Sequence, residues 1–132
     1  MKVLEPGHYY VLDNLDDDVA DVPRNQVRLY FVKRLGDKFP GNTGNTGSGP
    51  ISQEVIRALI DRTEYVDGQR KHSRNGLVLH HLREALRELE MRAAEERGDV
   101  AALFKIGMMK NPELAPACPR CGHIECQRRH EL

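Results

Sequence analysis

No apolar run in this chain approaches the roughly 18 residues that a membrane-spanning helix needs, so no transmembrane span is expected. The N-terminus offers no secretory apolar region, because Glu5 and Pro6 interrupt it at once. Nor is there a charge excess. Twenty basic side chains face twenty acidic ones, and the formal net charge is zero. A dedicated duplex-DNA binder carries a basic surplus on one face, so that class is disfavoured. A small anionic ligand is not excluded, since it needs only two or three local arginines. Cysteine is scarce too. The chain has three, all between residues 118 and 126, a clustering that points to metal rather than disulfides and to a cytoplasmic setting.

What is present reads as one small α+β domain of 132 residues with a short tail. Short N-terminal antiparallel strands precede an α-helical hairpin, and a small zinc-knuckle-like segment closes the chain. The expected boundaries are a β-ribbon over 1–35, a Gly/Asn/Thr-rich loop over 36–50, the hairpin over 51–97, a short helix and connector over 98–117, and a cysteine tail over 118–132. GHYYVLD (7–13) and QVRLYFVKR (26–34) are the two strand candidates. In the second, Val27, Leu29 and Phe31 alternate with Arg28, Tyr30, Val32 and Arg34. The acidic stretch between them lacks the spacing and glycine of a calcium loop. GDKFPGNTGNTGSGP is a linker with no Walker lysine; its glycines before a helix N-terminus offer a weaker alternative reading as a phosphate cradle.

The hairpin is the strongest signal. Ser52 is the expected N-cap of its first helix, with Ile51 and Ile56 as a hydrophobic staple. Val55, Ile56, Leu59, Ile60, Thr63 and Val66 follow helical spacing, and Gly68 is the expected stop. The second helix starts near Asn75 or Gly76. Leu79, Leu82, Leu86, Leu89 and Ala93 form its stripe, widened by Val78 and Ala85. Arg83, Glu84, Arg87, Glu88, Glu90 and Arg92 are read as the outer face, with Glu88 and Arg92 an i,i+4 pair. Two helices of this length cannot bury every stripe position against each other, which favours a homo-oligomer. Asp99 to Met109 is a third helix, ended by Asn111-Pro112.

In CPRCGHIECQRRHEL, Cys118 and Cys121 form a C-x2-C turn, Cys126 follows, and His130 supplies a nitrogen. Three thiolates and an imidazole meet zinc's tetrahedral preference. His123 competes as the fourth ligand. Zinc is therefore the expected cofactor. No catalytic set is legible. His80 and His81 are adjacent, diverge by about 100° around a helix, and cannot share one metal. His8 and His72 read as isolated and exposed. A non-enzymatic binding module is the economical reading.

The stretches VIRALIDRTEYVDGQ and NGLVLHHLREALRELEMRAAE, with the two strand segments before them, resemble a phage family, the Thoeris anti-defence sponges. Their hairpin is related to that of the anti-CBASS cyclic-oligonucleotide sponges. The resemblance covers about residues 7 to 97 and leaves the cysteine tail outside it. It implies a protein that binds cyclic nucleotide immune signals in the infected bacterial cytoplasm without cleaving them. It further implies a symmetric oligomer, often a hexamer, with pockets between subunits. The family's late aromatic, turn asparagine and late arginine match Tyr65, Asn75 and Arg92. Tyr65 is suited to stacking on a purine, Asn75 to reading a base edge, and Arg92 to gripping phosphate. Asn75 reads equally well as a helix cap, and Arg92 as a partner of Glu88. Arg28 and Arg34 are expected to add phosphate contacts from a neighbouring subunit. A competing expectation is a zinc-dependent regulatory or nucleic-acid-binding module acting through Cys118, Cys121, Cys126 and His130.

Overall fold

The structure, a computed structural model, describes residues 1–14, 27–32 and 51–126. The chain divides into two units, 1–51 and 52–132. Arg34, the 36–50 loop, most of the acidic stretch and His130 lie outside the described residues.

The first unit is an antiparallel sheet of three strands in the order β1-β2-β3: β1 Lys2–Glu5, β2 Tyr9–Leu12 and β3 Val27–Tyr30. β1 was not expected. The strand expected from Gly7 begins at Tyr9, and Glu5-Pro6-Gly7-His8 is the connection between β1 and β2. The His8 N–H donates to the Glu5 carbonyl at 3.0 Å, and Gly7 takes φ 79°. Proline second and a positive-φ glycine third are the requirements of a type II turn. Tyr9 pairs with Tyr30 and Val11 with Arg28. The two tyrosine rings stack, with centroids 3.9 Å apart, and Arg28 donates to the Tyr9 hydroxyl. Val11 is the buried member of this sheet.

The second unit holds three helices: α1 Ser52–Gln69, α2 Ser73–Arg97 and α3 Val100–Met108, followed by a 3-10 turn at Pro112–Leu114. Helix α1 runs through Gly68, which does not stop it. The turn to α2 is organised by Asp67, whose Oδ1 accepts from the His72 N–H at 3.2 Å and from Asn75 Nδ2 at 2.9 Å. His72, not Asn75, is the N-cap; its Nδ1 accepts from the Arg74 N–H. Gly98, at φ 69°, closes α2, and Asp99 caps α3 through the Ala102 N–H. The left-handed conformation at Gly98 carries a steric penalty for any residue with a Cβ.

Ile60, Leu86 and Ala93 are buried as the hairpin pattern requires. Leu59, Val78 and Ala85, expected in the stripe, are exposed. A second core joins Ala94, Ala102, Ile106 and Ile124, with Met91, Leu103, Met109 and Ala115 packed around it. Arg83 bridges Glu64 of α1 at 2.6 Å and Glu113 of the 3-10 turn at 2.7 Å. Arg87 donates to the Met109 carbonyl and to Glu84. The face read as solvated thus carries the cross-links between α2 and its neighbours.

Asp67 makes the hairpin turn acid-sensitive. The Asn75 amide, then the His72 N–H, hold its carboxyl below the usual carboxylate range. A lowered folded value means the stabilisation is present above the unfolded pKa of about 3.9 and is lost as pH falls through the folded value. Amide exchange at His72, taken relative to the intrinsic rate at each pH, should therefore accelerate in the wild type as pH falls below the usual carboxylate range. In Asp67→Ala it should already be fast at neutral pH and show no such step.

Candidate metal centre and the hairpin ligand residues

The cysteine segment is folded back on itself. The Cys118 N–H donates to the His123 carbonyl at 2.9 Å, and the Gly122 N–H to the Cys118 carbonyl at 2.7 Å. Gly122 takes φ 75°, and an antiparallel bridge joins Ala117 to Ile124. This tight loop brings Cys118 and Cys121 side by side and returns the chain so that Cys126 joins them. The three sulfurs lie within 4.8 Å of one another, all on half-buried residues. They could hold a metal ion. Burial pushes the Cys121 thiol up to about 12, aided by the neighbouring Cys118 and Cys126 sulfurs and opposed by the hydrogen bond from the His123 backbone. A thiol of that kind is protonated at neutral pH, so a divalent ion that binds must displace its proton.

His123 does not compete for this site. Its Nδ1 lies 3.2 Å from Gln53 Nε2 and 3.4 Å from Glu90 Oε2, and its side chain is buried. Among the described residues no nitrogen joins the three sulfurs. His130, the other sequence candidate, lies outside them.

The segment is no loose tail. Ile124, between two of the cysteines, is fully buried against Ala94, Ala102 and Ile106. Lys105 of α3 reaches Glu125 at 3.4 Å. The Ile124 N–H donates to Glu90 Oε2 at 3.1 Å. Glu90 is the residue the sequence reading misplaced. It was assigned to the outer face of α2, yet it is fully buried. Its other oxygen lies 3.8 Å from Arg57 Nη2 of α1, and Arg57 also holds Glu54 at 3.0 Å. The signal was available: Leu86, Glu90, Ala93 and Ala94 fall at i, i+4, i+7 and i+8, one helical face. As a charged residue, Glu90 reads as part of the outer face and not as a member of the stripe.

The hairpin candidates are arranged differently. Tyr65 is 59% exposed, its hydroxyl accepting from Gln69 Nε2 at 3.0 Å. Asn75 is half-buried and one amide N–H is already spent on Asp67. Arg92 is exposed, and among the described residues no bond joins it to Glu88 or to any other carboxylate. Asn75 and Arg92 belong to the same helix, separated by about 25 Å at 1.5 Å per residue. One copy of the chain therefore does not gather Tyr65, Asn75 and Arg92 into a single pocket. Arg28 stands on the sheet of the first unit, engaged with Tyr9. No helix among the described residues is long and apolar enough to cross a membrane. Comparison of the chain with protein-family models, curated proteins and solved structures finds no match.

Proposed function

We propose that this protein is a non-enzymatic phage anti-defence protein that sequesters cyclic nucleotide signals in the bacterial cytoplasm. The hairpin presents the ligand groups, and a structural zinc clips the helical unit. The observation that carries this reading is the state of Arg92. An exposed guanidinium at the far end of α2, without a carboxylate partner among the described residues, is available to a phosphate. Exposed Tyr65 offers a ring face for a base. The distance along α2 supports a site completed between copies, as in a homo-oligomer, where Arg92 of one chain meets Tyr65 and Asn75 of another. Arg28 is assigned the supporting phosphate contact. The resemblance over residues 7 to 97 supports the ligand class.

Zinc suits the cysteine cluster because three soft thiolates with His130 as fourth ligand complete a tetrahedron. The alternative, a zinc-dependent regulatory or nucleic-acid-binding module, draws on the same three sulfurs. The packing of Ile124 favours a clip over a presented surface. The sequence from Lys105 onward also has no Phe, Tyr or Trp on which a base could stack.

The test is ligand release. Purified protein is incubated with cyclic ADP-ribose variants and cyclic oligonucleotides, freed of unbound ligand and denatured, and the released material is identified by mass spectrometry. An intact cyclic nucleotide is the expected product. Tyr65→Ala combined with Arg92→Ala should weaken retention by at least about tenfold, since stacking alone is worth roughly 1–3 kcal/mol per base. A cleaved product would make the protein an enzyme. Retention of no signal would overturn sequestration.

A further inference from the structure

The buried carboxylate of Glu90 stands where three elements meet. It is carried by α2, faces Arg57 of α1, and receives the Ile124 N–H and the His123 ring of the cysteine turn. The same His123 ring touches Gln53 in the first turn of α1, and Gln53 is itself buried. His123 and Ile124 lie between Cys121 and Cys126, so the groups that satisfy Glu90 are held by the same short loop that holds the sulfurs.

A fully buried carboxylate is tolerable only while its partners stay in place. Losing them leaves an uncompensated charge, which is strongly destabilising. When the loop opens, Glu90 loses the Ile124 N–H and the imidazole together and keeps only Arg57, at 3.8 Å. The way to relieve that charge is to admit water, and water enters by parting the first turns of α1 from α2. Conversely, a closed hairpin presents the carboxylate that fixes the loop in its metal-ready shape. Groups that bond a ligand directly typically change metal affinity by about 10- to 100-fold, and Glu90, which holds the loop between two of the sulfurs, is assigned an effect of that order.

We infer that metal binding at the cysteine turn and closure of the first half of α1 on α2 form one linked equilibrium, with Glu90 the positioning residue that joins them. Linkage is reciprocal: the metal must protect α1 by the same factor by which the closed hairpin tightens the metal. The inference rests on the reading that Cys118, Cys121 and Cys126 take up a metal, and the experiment separates the two.

The full chain is loaded with Co(II) as a spectroscopic probe and with Zn(II). Affinity is measured by chelator competition, and backbone hydrogen exchange is followed with and without chelator. In the wild type, chelation should accelerate exchange over Gln53–Ile60 while leaving Tyr65–Gln69 nearly unchanged. Glu90→Gln should bind Zn(II) about 10- to 100-fold more weakly. Glu90→Leu removes the buried charge, so the hairpin should stay closed whether or not metal is bound, and exchange over Gln53–Ile60 should no longer respond to chelator. The leucine variant keeps the test decisive if the glutamine variant does not fold. Absence of thiolate-to-Co(II) absorption and of Zn(II) retention in the wild type would overturn the metal reading itself. Normal metal binding with no chelator response over Gln53–Ile60, or a Glu90→Gln affinity equal to wild type, would leave the metal reading standing and overturn the link.

Discussion

Stripping the proposed metal from the cysteine turn is expected to lower the stability of the helical unit by about 4 kcal/mol, the mass-action value for an ion held at roughly a thousand times its dissociation constant. For a unit of this size that corresponds to a fall in melting temperature of roughly 15–30 °C. The effect should be large because the turn is part of the core and not an appendage to it. Ile124 closes the cluster formed by Ala94, Ala102 and Ile106, so an opened turn exposes the facing sides of both α2 and α3. Cys118→Ser, Cys121→Ser and Cys126→Ser should each reproduce most of the loss, since the three sulfurs form one group. Each should also become insensitive to chelator. Thermal unfolding with and without chelator measures this directly. Melting curves that superimpose for the treated and untreated wild type would mean that the turn is held by its packing alone.

The same dependence explains which parts of this chain could be read from its sequence. The hairpin and α3 were legible because their signals are local: leucines at steps of three and four, an aspartate before an apolar run, Asn111-Pro112 after it. The C-x2-C turn was legible for the same reason. What escaped depends on contacts between distant segments. Glu90 is a glutamate on a helix, and nothing local says that the backbone of Ile124, 34 residues later, will satisfy it. His123 has ligand spacing, but Gln53 and Glu90 hold its ring. β1 carries little local signal: Lys2–Glu5 is four residues long, and what fixes it is its pairing with β2 across the Pro6-Gly7 turn. Asn75 was placed at a cap because it follows a polar turn, whereas Asp67 anchors it from the opposite helix. The proposed ligand residues belong to a further category. In the proposed site they would converge only between copies of the chain, and periodicity within one copy carries no information about that.

That distinction can be tested on the leucines themselves. Leu86 has no exposed surface, whereas Leu77, nine residues earlier on the same helix, is 49% exposed. Leu86→Ala should cost about 2–5 kcal/mol, the range for emptying a packed leucine site that only partly collapses. The loss should appear in the urea midpoint with little change in slope, because the surface exposed on unfolding is almost unaltered. Leu77→Ala should stay within about 0.5 kcal/mol when the separated chain is unfolded, as surface changes generally do. Exposed Leu59, Leu77 and Val78 are too many apolar groups for one hairpin to hide, and a homo-oligomer is the proposed reason for them. If these side chains form its seam, Leu77→Ala will shift sedimentation toward smaller species while leaving the unfolding of the separated chain unchanged. If they are merely exposed, both measurements will be flat. A loss of several kcal/mol at Leu77 with no change in sedimentation would instead mean that the leucine packs within its own chain, and the seam would have to be sought on another face.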